Sequence, residues 1–464
     1  MPPLPQRALL PRFASLAGVA ATASLLHAAP QAPPVSQPLP QRNACFGISA
    51  DIGQLLPGSP FPFAVVGSYL RSSATVTNAG AIFVLRWSGP KIGWVQEAQL
   101  FPPAAVPNTY FGRSVAALQA PGRGDFAFAG AYRDSLQGPA RGAVQIFGAP
   151  PGGAWSSQQS IRPGIGGVDN EWFGFSIDAG HVNATATDTL LVGAPGGRAS
   201  GTATSNGVAY IFERRVGGWV NVRKFGGAGV GADTNRFGWS VALLPNVVTL
   251  PGDAATASRK LAIVGSPGNA VDRGQVHVFE AAGDASWATA VERVRRVPNL
   301  NPGDRYGETV AAAKRFMAVA APGRGEGRGT VFIWERTGVN AMLPVLALQP
   351  DDLLPGDRFG SSLAMAEQPD GSVLLAVGVR GDDTLGTDTG AVRAYRWAAG
   401  SPGAEWVPLP NLLPPTPQVG AQFGFSVAAG SDPSGAGQLL VGSPFHNTTP
   451  ILFNSGLLDA ATLP

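Results

Sequence analysis

An aromatic residue followed by Gly, and two positions later by Ser or Thr, recurs seven times in this chain. The aromatics are Phe46, Phe111, Phe173, Phe237, Tyr306, Phe359 and Phe423, at intervals of 65, 62, 64, 69, 53 and 64 residues. A period of this length marks a structural unit that cannot bury its own hydrophobic surface and must stack on copies of itself. Three weaker signatures keep step with the first. An apolar run ends in Gly, a small residue and often Pro, as in Val192-Gly193-Ala194-Pro195, Val264-Gly265-Ser266-Pro267 and Val441-Gly442-Ser443-Pro444. A Gly then leads an alternating apolar stretch, at Gly80, Gly142, Gly207, Gly274, Gly329 and Gly390. A fourth segment begins at Trp94, Trp155, Trp219, Trp287 or Trp406.

Each unit therefore predicts four short strands separated by turns. The fold class is all-β: a single seven-bladed β-propeller of four-stranded antiparallel blades, spanning 30–464, with units starting near 46, 111, 173, 237, 306, 359 and 423. The content of 62 Gly and 42 Pro suits a chain of many turns, and 44% hydrophobic residues suffice for a large core. The second strands are nearly continuous in apolar residues, as expected where both faces are buried. The seven aromatics are structural, filling the space between blades. Truncating Phe173 or Phe237 to Ala is expected to cost roughly 3–5 kcal/mol.

The order Phe-Gly, then Gly-Ala-Pro, then a Gly-led strand, then Trp resembles the FG-GAP repeat family, which includes the head of integrin α subunits and many secreted bacterial proteins. The resemblance covers the chain from about residue 34 onward. Gly303-Asp304-Arg305-Tyr306-Gly307 and Gly356-Asp357-Arg358-Phe359-Gly360 look most like its bacterial branch. It implies a seven-bladed propeller, an extracytoplasmic location and a role in adhesion or recognition. In the seventh unit a third strand is expected near 451–453. Its outer strand is expected from 34–42, an edge position that tolerates Pro.

Arg7 and Arg12 precede an uncharged stretch over 13–26, followed by small residues. This is the pattern of a signal peptide over 1–29, so the expected location is secreted, periplasmic or cell-surface. The stretch is too short for a comfortable membrane span. Cys45 is the single Cys, which excludes an intrachain disulfide framework. The net charge of +3 is spread along the chain without a basic run, which argues against nucleic acid as a partner.

For calcium, the resemblance implies an acidic loop between the first two strands. Unit three aligns best, but places His181, Asn183, Thr185 and Thr189 at the four ligand positions. No carboxylate stands there, so the expectation is a degenerate loop, with no metal and no other cofactor. Arg123-Gly124-Asp125 and Arg380-Gly381-Asp382 read as Gly-containing turns. No catalytic residues are assigned: the four His share no ligand spacing, and no nucleophile–base constellation appears.

One face of such a propeller is built by the connections between strands two and three and between consecutive blades. These carry Tyr69, Tyr132, Arg133, Arg305, Arg358, Arg380, Asp382 and Asp383, and Tyr and Arg are enriched where proteins recognise partners. The expectation is a monomeric binding module for an extracellular protein, without catalysis. A lectin-like propeller binding glycan is the alternative, and a propeller enzyme stands behind both.

Overall fold

The computed structural model describes residues 41–53, 62–120, 124–164, 167–181, 187–198, 206–226, 235–247, 259–282, 285–339, 341–398, 405–448 and 454–463. Blade 1 is β1 (Phe46–Ile52), β2 (Phe63–Ser68), β3 (Ala81–Trp87) and β4 (Trp94–Leu100). Blade 2 is β5 (Ser114–Ala120), β6 (Gly124–Ala131), β7 (Ala143–Ala149) and β8 (Ser156–Ile161). Blade 3 is β9 (Ser176–His181), β10 (Asp188–Ala194), β11 (Val208–Arg215) and β12 (Gly218–Gly226). Blade 4 is β13 (Ser240–Val247), β14 (Arg259–Ser266), β15 (Gln275–Ala282) and β16 (Val291–Arg295). Blade 5 is β17 (Val310–Ala313), β18 (Phe316–Ala321), β19 (Thr330–Gly338) and β20 (Ala341–Leu348). Blade 6 is β21 (Phe359–Glu367), β22 (Val373–Val379), β23 (Ala391–Trp397) and β24 (Trp406–Pro408). Blade 7 contributes β25 (Ser426–Ser431), β26 (Gly437–Ser443) and β27 (Leu457–Leu463).

Within every blade the strands pair antiparallel in chain order. The innermost strands β1, β5, β9, β13, β17, β21 and β25 meet their neighbours around a ring, and β25 meets β1. This is the seven-bladed all-β propeller that the repeat predicts. The second strands β2, β10 and β22 are buried along their whole length.

The repeat aromatics are at most 3% exposed. Each packs against an aromatic on the third strand of its own blade, or lies in a cluster that spans two blades. Phe173 sits with Tyr210 of β11 and with Val144 and Ile146 of β7. The Trp of the fourth segment does similar work farther out. Trp219 meets Phe128 of blade 2 at 5.1 Å, and Trp406 meets Phe316 of blade 5 at 5.3 Å. Packing thus explains why both residues recur.

The Ser or Thr after the aromatic-Gly pair has its own duty. Ser49 Oγ donates to the Gly112 carbonyl at 2.9 Å, Ser114 to Gly174 at 2.7 Å, and Ser176 to Gly238 at 2.9 Å. The series continues with Ser240 to Gly307 at 2.9 Å, Thr309 to Gly360 at 2.7 Å and Ser362 to Gly424 at 2.8 Å. Ser426 to Gly47 at 2.8 Å closes it. A free inner edge would leave backbone acceptors unpaired, and this ring of hydroxyls satisfies one per blade. The closing joint is therefore chemically like the other six. Ser426→Ala is expected to cost about 1 kcal/mol, as is Ser240→Ala, in urea unfolding. A far larger loss at 426 would show that closure relies on something the other joints lack.

The seventh unit departs from expectation. Its third strand is β27, led by Gly456, and not the segment near 451–453, which lies outside the described residues. The reason is geometric: Gly456 pairs with Phe46 in the same parallel bridge that Gly142 makes with Phe173. Among the described residues β27 is the outermost strand of blade 7. Residues 34–40 of the outer clasp expected over 34–42, and the signal-peptide segment, also lie outside the described residues. No helix among the described residues is long and apolar enough to cross a membrane.

Candidate functional site

Aligning the seven units by their aromatic-Gly pair produces two columns that point to one end of the channel. The residue before the aromatic is Cys45, Tyr110, Trp172, Arg236, Arg305, Arg358 or Gln422, and each has φ between 52° and 59°. A non-Gly residue in the left-handed region carries strain of order 1–2 kcal/mol, which here is imposed by the turn into each inner strand. The residue after the Gly is Ile48, Arg113, Phe175, Trp239, Glu308, Ser361 or Phe425. The connection after each second strand adds Tyr69, Tyr132, Arg380 and Phe445.

These side chains form an arc of aromatics over blades 1 to 4. Tyr69 meets Tyr110 at 5.1 Å, Tyr110 meets Tyr132 at 5.5 Å, and Tyr132 meets Phe175 at 5.2 Å. Phe175 then meets Trp239 at 4.6 Å. Arginines lie on the rings: Arg133 over Tyr110 at 5.1 Å, Arg113 over Phe175 at 5.8 Å and Arg236 over Trp239 at 5.2 Å. Arg305 also lies over Trp239, at 5.7 Å, and Arg380 over Phe425, at 5.7 Å.

The charge at this mouth is one-sided. Glu308 sits within electrostatic range of Arg305, Arg380, Arg358 and Arg236, yet burial still holds its carboxyl above the usual range. Among the described residues only Arg305 is ion-paired to it, at 3.2 Å. Arg380 loses affinity for its proton through burial and then through Arg358, with Arg305 and Arg113 adding to the effect. Arg113 of blade 2 lies over Phe175 and Arg380 of blade 6 over Phe425, so the two guanidiniums stand at the mouth from opposite sides of the ring. Arg113 is itself lowered by burial.

Below the mouth lies the central channel, about 940 Å³, walled mainly by small apolar residues of the inner strands. Asp51 and Asp178 face it where the other five units carry Ala116, Ala242, Ala311, Ala364 and Ala428. Asp51 Oδ2 accepts from Ala117 N at 2.8 Å, and Asp178 Oδ2 from Leu243 N at 2.6 Å. Both thereby cap an amide of the next blade's inner strand. Burial pushes each carboxyl up to about 7, and the Asp178 charge adds to the effect on Asp51.

A profile of the FG-GAP repeat matches residues 94–147, from the outer strand of blade 1 into the third strand of blade 2. This repeat and the seven-bladed ring fit an FG-GAP propeller. No curated protein matches the chain.

The propeller does not bring all the sequence-selected residues together. Tyr69, Tyr132, Arg305, Arg358 and Arg380 gather at the mouth, with Arg133 exposed at its edge. Asp382 is only 3% exposed, and its carboxylate is occupied by Arg393 at 3.5 Å and Thr384 N at 2.9 Å. Asp383 is exposed and caps its own loop through Asp388 N at 2.8 Å. Asp304 and Asp357 do not pair with the arginines that follow them. They accept from Asn301 N at 2.8 Å and Leu354 N at 2.7 Å, which leaves Arg305 and Arg358 to the mouth. Tyr110, Arg113, Trp172, Phe175, Arg236, Trp239, Glu308 and Phe425 went unselected, although the two columns flanking each aromatic-Gly pair contain them all.

Of the degenerate calcium-type loop, Asn183 and Thr185 lie outside the described residues. His181 contacts the Gln119 carbonyl and sits 2.9 Å from Asp188, which also pairs with Arg214 at 3.3 Å. Thr189 Oγ1 donates to the Thr187 carbonyl at 3.4 Å. Among the described residues no group of three or more His, Cys, Asp or Glu is placed to hold a metal. In the Arg123-Gly124-Asp125 triplet Arg123 is outside the described residues, and Asp125 is ion-paired to Arg86 at 2.9 Å.

Proposed function

We propose that this propeller is a recognition module that docks a protein partner on the mouth face and catalyses no reaction. The observation that supports it is the arc of half-buried aromatics and half-buried to exposed arginines at one end of the channel. Aromatics and Arg supply large contact area and forked donors, the residue types that dominate binding energy at interfaces. The reading includes secretion, on the strength of Arg7, Arg12 and the uncharged stretch that follows. It includes no cofactor. A lectin-like propeller would call for aromatic platforms in loops, whereas of the recurrent Trp residues Trp94, Trp219, Trp287 and Trp406 are at most 5% exposed and Trp155 is half-buried.

The test compares capture from the surrounding medium and cell surface by the wild type and two variants. Tyr132→Ala/Arg358→Glu alters the mouth, and Asp370→Ala alters the opposite face. The expected result is a partner lost by at least about tenfold with the mouth variant and retained by the control, since one hot-spot contact exceeds 1.4 kcal/mol. A partner retained equally by both variants, or strong binding to one sugar class on a glycan array, would sink the reading.

A further inference from the structure

We infer that the mouth is a receptor for a tetrahedral oxyanion: the phosphate or sulfate ester of a ligand whose organic body lies on the aromatic arc. This rests on the mouth being the recognition face, and it names the chemistry received there.

Arg113, Arg236, Arg305, Arg358 and Arg380 surround the axis with Glu308 as their single carboxylate among the described residues. Arg113, Arg236, Arg358 and Arg380 have neither an ion pair nor a side-chain hydrogen bond among the described residues. Arg358 is exposed, whereas Arg113, Arg236 and Arg380 are half-buried. Half-buried guanidiniums without a paired counter-charge are costly, so a site that assembles them is complete only when an anion enters. Each guanidinium presents forked N–H donors, and a phosphate or sulfate offers several acceptor oxygens to several forks at once. A carboxylate brings one charge and two oxygens, which suits one Arg better than five. The rings under Arg113, Arg236, Arg305 and Arg380 hold those side chains in place, so little conformational freedom is lost on binding. The half-buried rings of Tyr69, Tyr110 and Tyr132 continue the wall beside the cations, and a ring or apolar body would rest there.

The experiment is calorimetric titration of the full chain with inorganic phosphate, sulfate, phenyl phosphate and acetate, at constant ionic strength in chloride. Saturable binding of phosphate and sulfate is expected, with acetate at least about tenfold weaker, because it lacks the second charge. Phenyl phosphate is expected to bind more tightly than inorganic phosphate; equal affinity would overturn the ester assignment. Arg113→Gln/Arg380→Gln should weaken phosphate by at least about tenfold. Glu308→Gln, which removes only the competing carboxylate, should strengthen it. The second variant keeps the test decisive if the first fails to fold. No saturable binding beyond chloride, or affinity unchanged in both variants, overturns the inference. If anions fail to bind while mouth variants still lose their captured partner, the recognition reading stands and only this inference falls.

Discussion

Replacing Gly207 with Ala is expected to destabilise the propeller by about 2–5 kcal/mol, enough to threaten folding of the whole ring. Gly207 leads β11 with φ of 89°, and a Cβ there would overlap the backbone of Phe237 in the next blade. Two costs add. A side chain in the left-handed region costs of order 1–2 kcal/mol. Forcing apart a close-packed joint costs another 1–3 kcal/mol or so, because interiors this dense do not yield locally. Gly217 separates the two. It has φ of 95° but nothing within 4 Å, so Gly217→Ala should show the backbone cost alone, about 1 kcal/mol. The measurement is urea unfolding of both variants beside Phe173→Ala, whose deleted ring should cost a comparable 3–5 kcal/mol or so. Equal midpoints for Gly207→Ala and Gly217→Ala would show that the blades do not meet as closely as described.

The second large effect concerns the carboxyls in the channel. Asp51 and Asp178 have folded-state values raised to about 7 from 3.8. Between these limits the folded protein holds more protons than the unfolded chain, so stability falls as pH rises. The contribution is fully present below the unfolded value near 4 and is lost as pH climbs through 7. Asp51→Asn/Asp178→Asn removes that penalty while each amide oxygen still accepts from Ala117 N or Leu243 N. The variant should equal the wild type near pH 4 and exceed it at pH 8, by an amount on the order of 4 kcal/mol per carboxyl as an upper figure. The two gains should be less than additive, since each single change also relieves the repulsion between the pair. Thermal midpoints of wild type, both single variants and the double variant from pH 4 to 8 supply the check. A difference that does not grow with pH would refute the account.

Much of the fold was legible because its requirements are local and repeated. A Gly that must adopt positive φ against the next blade, an aromatic that must fill a joint, and a Ser that must reach a carbonyl leave the same mark seven times. The one misplaced element is the third strand of blade 7, expected at the apolar run over 451–453, although Gly456 follows Phe423 by 33 residues, within the 23 to 37 of its six counterparts. The candidate site was legible only in part. Tyr69, Tyr132, Arg305, Arg358 and Arg380 were reached by reasoning about connections, whereas Arg113 and Trp239 lie at the start of inner strands and resembled strand residues. Asp382 lies in one of those connections but is buried and paired with Arg393 of the neighbouring strand, a contact that no local pattern announces.

The sequence by itself determined the number of blades, their order and the residues at each joint, because those follow from sterics that every unit obeys. Only the tertiary structure decided that Arg113, Arg236, Arg305, Arg358 and Arg380 share one place. They come from four different units, and no pairwise spacing brings them together. Closing seven units into a ring does so, by carrying equivalent positions to a common axis, where charges far apart along the chain act on one another.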